Sequence, residues 1–340
     1  MSGDRLLDPL NPAQRDAVTH DPAPLLVLAG AGSGKTRVLT HRIAWMIEAQ
    51  DVDPGRILAV TFTNKAAGEM KERVITLLDE RPGGITGLWI GTFHSVCARI
   101  LRQISDRFDY PRSFTIYDAD DTLNLLKRVM DRMSWSIGAV DAYNLRSRIS
   151  HAKNRLQTPD EYAALNHGHV EDAVAEAYRE YQRELKSNRA FDFDDLLMVT
   201  VRTLADDPSL LASFQRRFRH VLVDEYQDTN HAQYQLVKLL AEAHRSITVV
   251  GDDDQSIYGW RGADIRNILS FEDDFGEATV VRLEQNYRST KVILDAAHAI
   301  VEKNRERKPK RLWTDREGGE PLAVRGCGDA ESESSWIGKT

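Results

Sequence analysis

Six short runs along the chain are apolar and rich in β-branched residues, with little polar alternation: residues 25–29, 56–62, 88–93, 220–224, 246–251 and 279–284. A strand that is apolar on both sides needs cover on both faces, as parallel strands sandwiched between helices have. Helical periodicity occupies the intervals at about 36–49, 65–79, 94–104, 231–243 and 289–303. This alternation predicts βαβ units and an open α/β sheet.

The rhythm breaks between about 105 and 218. Strand signals nearly vanish there and amphipathic patterns replace them. Val170, Val174, Ala177, Tyr178, Tyr181 and Leu185, for example, are spaced for one face of a helix. The stretch reads largely as a helical insertion between two strands, with the chain returning to the main domain near residue 190. Further on, strand 279–284, helix 289–303 and an expected strand around Leu322–Arg325 begin another α/β unit. Two strands and a helix bury too little to stand alone, so the expectation is of a second domain cut short.

Composition narrows the classes. A chain of 340 residues, 41% hydrophobic, suits two or three domains with ordinary cores and excludes a mainly disordered protein. No apolar stretch is long enough to span a bilayer, and residues 1–10 lack the basic and apolar regions of an export signal. Cys97 and Cys327 lie far apart without metal-ligand spacing, which fits free thiols in a reducing compartment. A soluble, cytoplasmic protein with no membrane partner is expected. The net charge of −7 weighs weakly against a nucleic-acid partner. Basic residues nevertheless cluster between Arg99 and Arg155 and again from Lys303 to Arg311. Each cluster is either a solvated face or a contact surface, so charge alone leaves the partner open.

The chemistry is concentrated in a few motifs. Ala29-Gly30-Ala31-Gly32-Ser33-Gly34-Lys35-Thr36 lies between a predicted strand and a predicted helix. Small residues let successive backbone N–H groups turn toward one anion, and the helix presents its positive end. Lys35 supplies a point charge for β- and γ-phosphates, and the Thr36 hydroxyl is placed to ligate Mg²⁺. The first position of the usual G-x-x-x-x-G-K-[ST] pattern is Ala29, a small-for-small departure. Val221-Leu222-Val223-Asp224-Glu225 puts two carboxylates at the carboxyl end of a strand, the sheet edge where ligands bind. Asp224 suits Mg²⁺, directly or through water, and Glu225 suits a general base for the attacking water. In the run Gly251–Gly262, Gln255 carries an amide that donates and accepts at once, suited to sensing a γ-phosphate or water. Tyr258 and Trp260, beside Arg261, are either stacking platforms for single-strand bases or core rings.

Together these motifs resemble superfamily 1 DNA helicases of the UvrD/PcrA/Rep group over nearly the whole chain. Leu10-Asn11-Pro12-Ala13-Gln14 is similar to that family's glutamine motif, in which Gln14 would read the adenine edge, and Arg37 would contact the nucleotide. Thr61-Phe62-Thr63-Asn64-Lys65-Ala66-Ala67 and Gly91-Thr92-Phe93-His94-Ser95 resemble its two early single-strand-binding motifs. Phe62, Thr63, Asn64, Thr92 and His94 are accordingly DNA candidates, with Phe193 of Phe191–Leu197 and with Tyr258, Trp260 and Arg261. Asp224–Asp228 and Gly251–Arg261 match the hydrolysis and coupling motifs. In Gln285-Asn286-Tyr287-Arg288-Ser289, Tyr287 would stack on adenine and Arg288 would act as an arginine finger.

The resemblance implies a RecA-like parallel-sheet motor domain of the P-loop NTPase class over 1–106 and 190–278. It further implies an all-helical insertion at 107–189 and the start of a second RecA-like domain at 279–340. It also implies ATP and Mg²⁺ as cofactors, and 3′-to-5′ translocation on single-stranded DNA with unwinding of 3′-tailed duplex in DNA repair or replication. DNA repair proteins would be its partners. With the family's later motifs beyond Thr340, nucleotide and DNA contacts without appreciable unwinding are expected of these 340 residues. The alternatives are a nucleotide- and DNA-binding module without turnover, a non-motor phosphate-loop enzyme, and a motor within a helicase–nuclease assembly. A guanine-binding switch would carry an N/T-K-x-D loop and none is visible, nor is any nuclease motif.

Overall fold

The computed structural model describes residues 4–78, 84–135, 140–305 and 307–339. The last position of the expected helix 65–79 and Glu306 of the basic run lie outside them, as do residues 1–3 and Thr340. Six of the strands form one parallel sheet: β1 (Leu25–Ala29), β2 (Ile57–Thr61), β3 (Trp89–Thr92), β6 (His220–Val223), β7 (Ile247–Gly251) and β8 (Thr279–Leu283), in the order β3-β2-β6-β7-β1-β8. Registers such as Leu25↔Thr248 and Ile57↔His220 are continuous across the centre. Because strand side chains alternate, Leu26, Leu28, Leu58, Val60, Val221 and Val223 face one core. Leu25, Val27, Ile57, Ala59 and Leu222 face the other.

Helices Phe93–Gln103, Phe193–Asp206 and His231–Ala241 cover the first face, and Pro12–Thr19, Lys35–Glu48 and Asn64–Leu77 the second. The fold is thus an α/β P-loop NTPase type, a RecA-like parallel sheet with a helical insertion. Parallel pairing puts all six carboxyl ends at one edge, so the segments that follow them converge there. Every motif picked out by its chemistry except the glutamine motif and the Phe191–Leu197 run follows one of those ends.

Two expectations about the segment after residue 278 need correcting. The run at 279–284 does not open a separate sheet. As β8 it pairs with β1 in the register Leu25↔Thr279, and its burial suits an edge position, with Leu283 alone of its five residues buried. Leu322–Arg325 forms no strand. No strand lies beside it among the described residues, and Val324 is 97% exposed.

The insertion has a core of its own. Helices Ala119–Arg132, Ala142–Asn154, Pro159–Leu165 and His169–Ser187 pack around Leu125, Leu145, Ile149, Val174, Tyr178 and Tyr181. The stripe from Val174 to Leu185 is buried as its spacing predicts. The insertion is not purely helical, because β4 (Thr115–Tyr117) pairs in parallel with β5 (Ala190–Asp192) at its base. Strands of three residues carry no periodic signal. Beneath them the fully buried Lys153 ammonium lies 2.6 Å from Asp192 Oδ2 and 2.8 Å from Asp195 Oδ1. The Tyr181 hydroxyl donates to the same Asp192 oxygen at 2.7 Å. Cys97 is buried and Cys327 exposed, both free thiols. Among the described residues no helix is long and apolar enough to cross a membrane.

Candidate functional site

The phosphate-type loop leaves β1 at Ala29 and ends at Gly34, the N-cap residue of helix Lys35–Glu48. Gly34 has φ 96° and contributes no side-chain cap, so the first-turn N–H groups remain open to an anion. Gly32 has φ 72°, and a Cβ there would lie 2.7 Å from Arg288 Cβ and 2.9 Å from Asn286 Nδ2. Only glycine lets the 286–288 turn rest on the loop. That turn is fastened by the Asn286 side-chain amide donating to Ala31 O at 2.5 Å and the Tyr287 N–H donating to Gly32 O at 3.0 Å.

The glutamine motif meets the same loop. Gln14 is fully buried; its Oε1 accepts from the Asn11 N–H at 3.2 Å and its Nε2 donates to Ser33 O at 2.9 Å. The Asn11 side-chain amide donates to Gln285 Oε1 and Tyr287 Oη at 3.0 and 2.9 Å. Tyr287 remains 42% exposed, leaving ring surface available beside the loop. The helix carrying Gln14 is held from behind by Arg42, a buried guanidinium that donates to Ala17 O, Val18 O and His20 O at 2.9, 3.1 and 2.8 Å and to Thr248 Oγ1 at 2.9 Å. Burial pulls the Arg42 pKa down to about 10, so it stays charged at neutral pH. Arg37 and Arg288 are exposed at the loop's margin.

Across the cleft, Lys35 Nζ lies 2.6 Å from Glu225 Oε2. Glu225 sits in the left-handed region at φ 50°, an uncommon conformation for a residue with a side chain. Asp224 is buried and accepts from the Glu225 N–H at 3.1 Å. Burial, with the neighbouring Glu225 charge adding to it and Lys35 opposing, pushes the Asp224 carboxyl up to about 6. The same two causes push Asp228 up to about 6. A buried carboxylate so short of positive charge suits a divalent cation, and Thr36 lines the same groove. Gln227 ties the pieces together. Its Nε2 donates to Glu225 Oε2 at 3.0 Å and its Oε1 accepts from the Asp252 N–H at 3.0 Å. The Gln255 amide in turn donates to Asp252 Oδ2 at 2.5 Å.

One continuous groove of about 900 Å³ joins this cluster to the expected single-strand residues. Thr36, Asp224, Glu225 and Gln255 line one part; Phe62, Thr63, His94, Tyr258 and Arg261 line the rest. Phe62 stacks edge-on against Phe93 with centroids 5.6 Å apart, and His94 against Phe193 at 5.7 Å. Burial lowers the His94 pKa, favouring the neutral ring. Phe193 is 50% exposed beside a smaller adjoining pocket. Trp260, 75% exposed, stands beyond the rim, and the Arg261 guanidinium lies 4.5 Å from its ring centroid and 5.1 Å from that of Tyr258. Besides Phe193 and Trp260, two more expected residues do not line the groove. Thr92 is buried and its hydroxyl caps helix Phe93–Gln103 by accepting from the Ser95 N–H, and Asn64 is exposed at the start of its helix.

Two groups join the site beyond those its motifs single out by their chemistry. Gln227 sits inside the Asp224–Asp228 run, where its bridging position was the available signal. Asn154 bridges the insertion to the sheet edge, donating to Asp194 Oδ1 at 3.0 Å and accepting from Asn230 Nδ2 at 2.5 Å. No local pattern marks it.

Comparison with known proteins gives the family. A family model for the UvrD/REP helicase N-terminal domain matches residues 10–276, and one for the UvrD-like helicase C-terminal domain matches 281–340. The chain is 50% identical over 315 residues to ATP-dependent DNA helicase PcrA of Bacillus subtilis, covering 93% of this chain and 42% of that protein. Its counterpart in Staphylococcus aureus strain Mu50 is 50% identical over 317 residues, 93% and 43% of the two lengths. The Staphylococcus epidermidis protein of the same name is 48% identical over 334 residues, 98% and 45%. The chain therefore spans less than half the length of these relatives.

Proposed function

Because this chain belongs to the UvrD/REP helicase family, we propose that it supplies the ATP-hydrolysing, strand-gripping part of a 3′-to-5′ single-stranded-DNA translocase and DNA helicase. The observation that carries this reading is the single groove shared by Thr36, Asp224 and Glu225 at one part and by Phe62, His94 and Tyr258 at the other. Residues 1–106 and 190–278, with β8 added at the edge, act as the motor unit. Residues 107–189 act as its insertion, and the segment beyond β8 leads toward a second motor unit.

In this reading the loop Ala29–Thr36 cradles the phosphates of ATP, with Arg37 and Tyr287 holding the nucleotide and Gln14 reaching it only when its buried amide exchanges its bonds to Asn11 and Ser33. Thr36 and Asp224 would hold Mg²⁺, which when bound neutralises charge between the phosphates. Lys35 and Glu225 are paired with each other here, at 2.6 Å. Phosphate oxygens compete for the ammonium, so nucleotide entry releases the Glu225 carboxylate to take a proton from the attacking water. Gln255 orients that water or the γ-phosphate, and Arg288 stabilises charge on the transferring group. Bases of a single strand stack on Phe62, Phe193, Tyr258 and Trp260, with Thr63, Asn64, Thr92, His94 and Arg261 as further contacts. Of these, Thr92 acts only through its backbone or after the cap opens. DNA repair or replication is the setting this chemistry serves.

Strand displacement by the full-length protein tests the reading. A duplex with a 3′ single-stranded tail should be unwound with ATP, and one with a 5′ tail left paired. Equal activity on both, or none on either, overturns it.

A further inference from the structure

Within the basic run Lys303–Arg311, Arg307, Lys308 and Lys310 are not free cationic surface. Lys310 is 7% exposed, and its Nζ lies 2.7 Å from Asp252 Oδ1, 2.6 Å from Asp253 Oδ1 and 2.8 Å from Asp254 Oδ2. An ammonium has three N–H donors, and here each meets a different carboxylate. Arg307 adds contacts of 3.1 and 2.8 Å to Asp254, and the Lys308 N–H donates to Asp253 Oδ2 at 2.8 Å. Asp252 and Asp253 are buried, at 3% and 4% exposure. Three converging carboxylates in such a place repel one another unless a cation sits among them. Burial alone would raise the Asp254 carboxyl, yet its hydrogen bonds to Arg307 and Lys310 hold it below the usual range.

Asp252 is also the residue that fixes Gln255. Its Oδ1 holds the Lys310 ammonium and also accepts from the Asp254 N–H at 3.1 Å, its Oδ2 accepts the Gln255 amide at 2.5 Å, and its N–H is anchored on Gln227, which reaches Glu225. Without Lys310, Asp252 Oδ1 keeps the Asp254 N–H but loses its charged partner, so the carboxylate is held less firmly and Gln255 loses its reference point in the groove. Resting on the reading of this groove as a site of ATP hydrolysis, we propose that Lys310 is a positioning residue, which sets the Gln255 amide by holding Asp252. A planar guanidinium could not direct donors at three oxygens that converge from different sides, so lysine is required here.

The test is steady-state, single-strand-stimulated ATP hydrolysis by the full-length protein. Lys310→Met should lower kcat by about 10- to 100-fold, the scale of loss from a misplaced catalytic group, with little change in the KM for ATP. Lys310→Met combined with Gln255→Ala should be no slower than Gln255→Ala alone, because both changes remove one positioned group. Losses that multiply overturn the proposal. Lys310→Met with Asp253→Asn and Asp254→Asn removes the excess buried charge and should restore the melting temperature while kcat stays low. Recovery of wild-type kcat in that variant would reduce Lys310 to charge neutralisation and also overturn the proposal. If the wild-type protein shows no DNA-stimulated hydrolysis, the functional reading fails and the proposal with it. A stimulated wild type with multiplying losses removes the proposal alone.

Discussion

Asp224→Asn should stabilise the nucleotide-free protein while abolishing its Mg²⁺-dependent hydrolysis. Burial first, then the Glu225 charge, raises the Asp224 carboxyl from 3.8 to about 6, against the opposing pull of Lys35. Folded protein therefore holds this proton more tightly than unfolded chain, and stability falls as pH rises from about 4 through about 6. A shift of about two pKa units corresponds to about 3 kcal/mol at most. That cost is fully present at pH 8, about halved at pH 5 and nearly gone at pH 4. An amide of the same shape avoids it, so Asp224→Asn should melt several degrees higher than wild type at pH 8. The gap should close as pH falls. Thermal unfolding followed by circular dichroism, with EDTA and no nucleotide, reads this directly. An equal or lower melting temperature for Asp224→Asn at pH 8, or a gap unchanged at pH 5, would refute the account of Asp224 as a buried charge awaiting a cation. Asp228 shares the sign of the shift, so the comparison between variant and wild type, not the wild-type curve alone, isolates Asp224.

Two other substitutions separate the parts of the molecule. Trp260→Ala removes a 75% exposed ring; it should leave the melting temperature unchanged and weaken binding of a labelled oligothymidylate by about 1–3 kcal/mol in fluorescence anisotropy. Lys153→Met leaves Asp192 and Asp195 buried without their cation; it should cost about 3–5 kcal/mol in urea unfolding, and an unchanged midpoint would show that the pair does not hold the insertion to the body.

The fold was legible where its signals are local. Unbroken apolar runs marked all six strands of the main sheet, and the Gly30–Thr36 loop between a strand and a helix fixed the chemistry of the edge. What the sequence withheld was long-range. Whether Thr279–Leu283 pairs with β1 or begins another sheet depends on which edge is free, and its five residues do not record that. The short β4 and β5 have too few residues to show a period. Lys310 sits in a run that locally looks solvated, and its acidic partners lie more than fifty positions away, inside a motif read for Gln255 and its aromatics. Thr92 shows the converse: its place just before an apolar helical run marks it as an N-cap as readily as a ligand contact.

The account stands on one groove serving both nucleotide and strand. Its most direct test is the rate of ATP hydrolysis by the full-length protein with and without single-stranded DNA, with Lys35→Ala as the control. The account predicts a slow basal rate, a large rise on adding the strand, and loss of both in Lys35→Ala. A wild-type rate indifferent to DNA would contradict it, leaving a nucleotide-binding protein whose groove does not couple the two ligands.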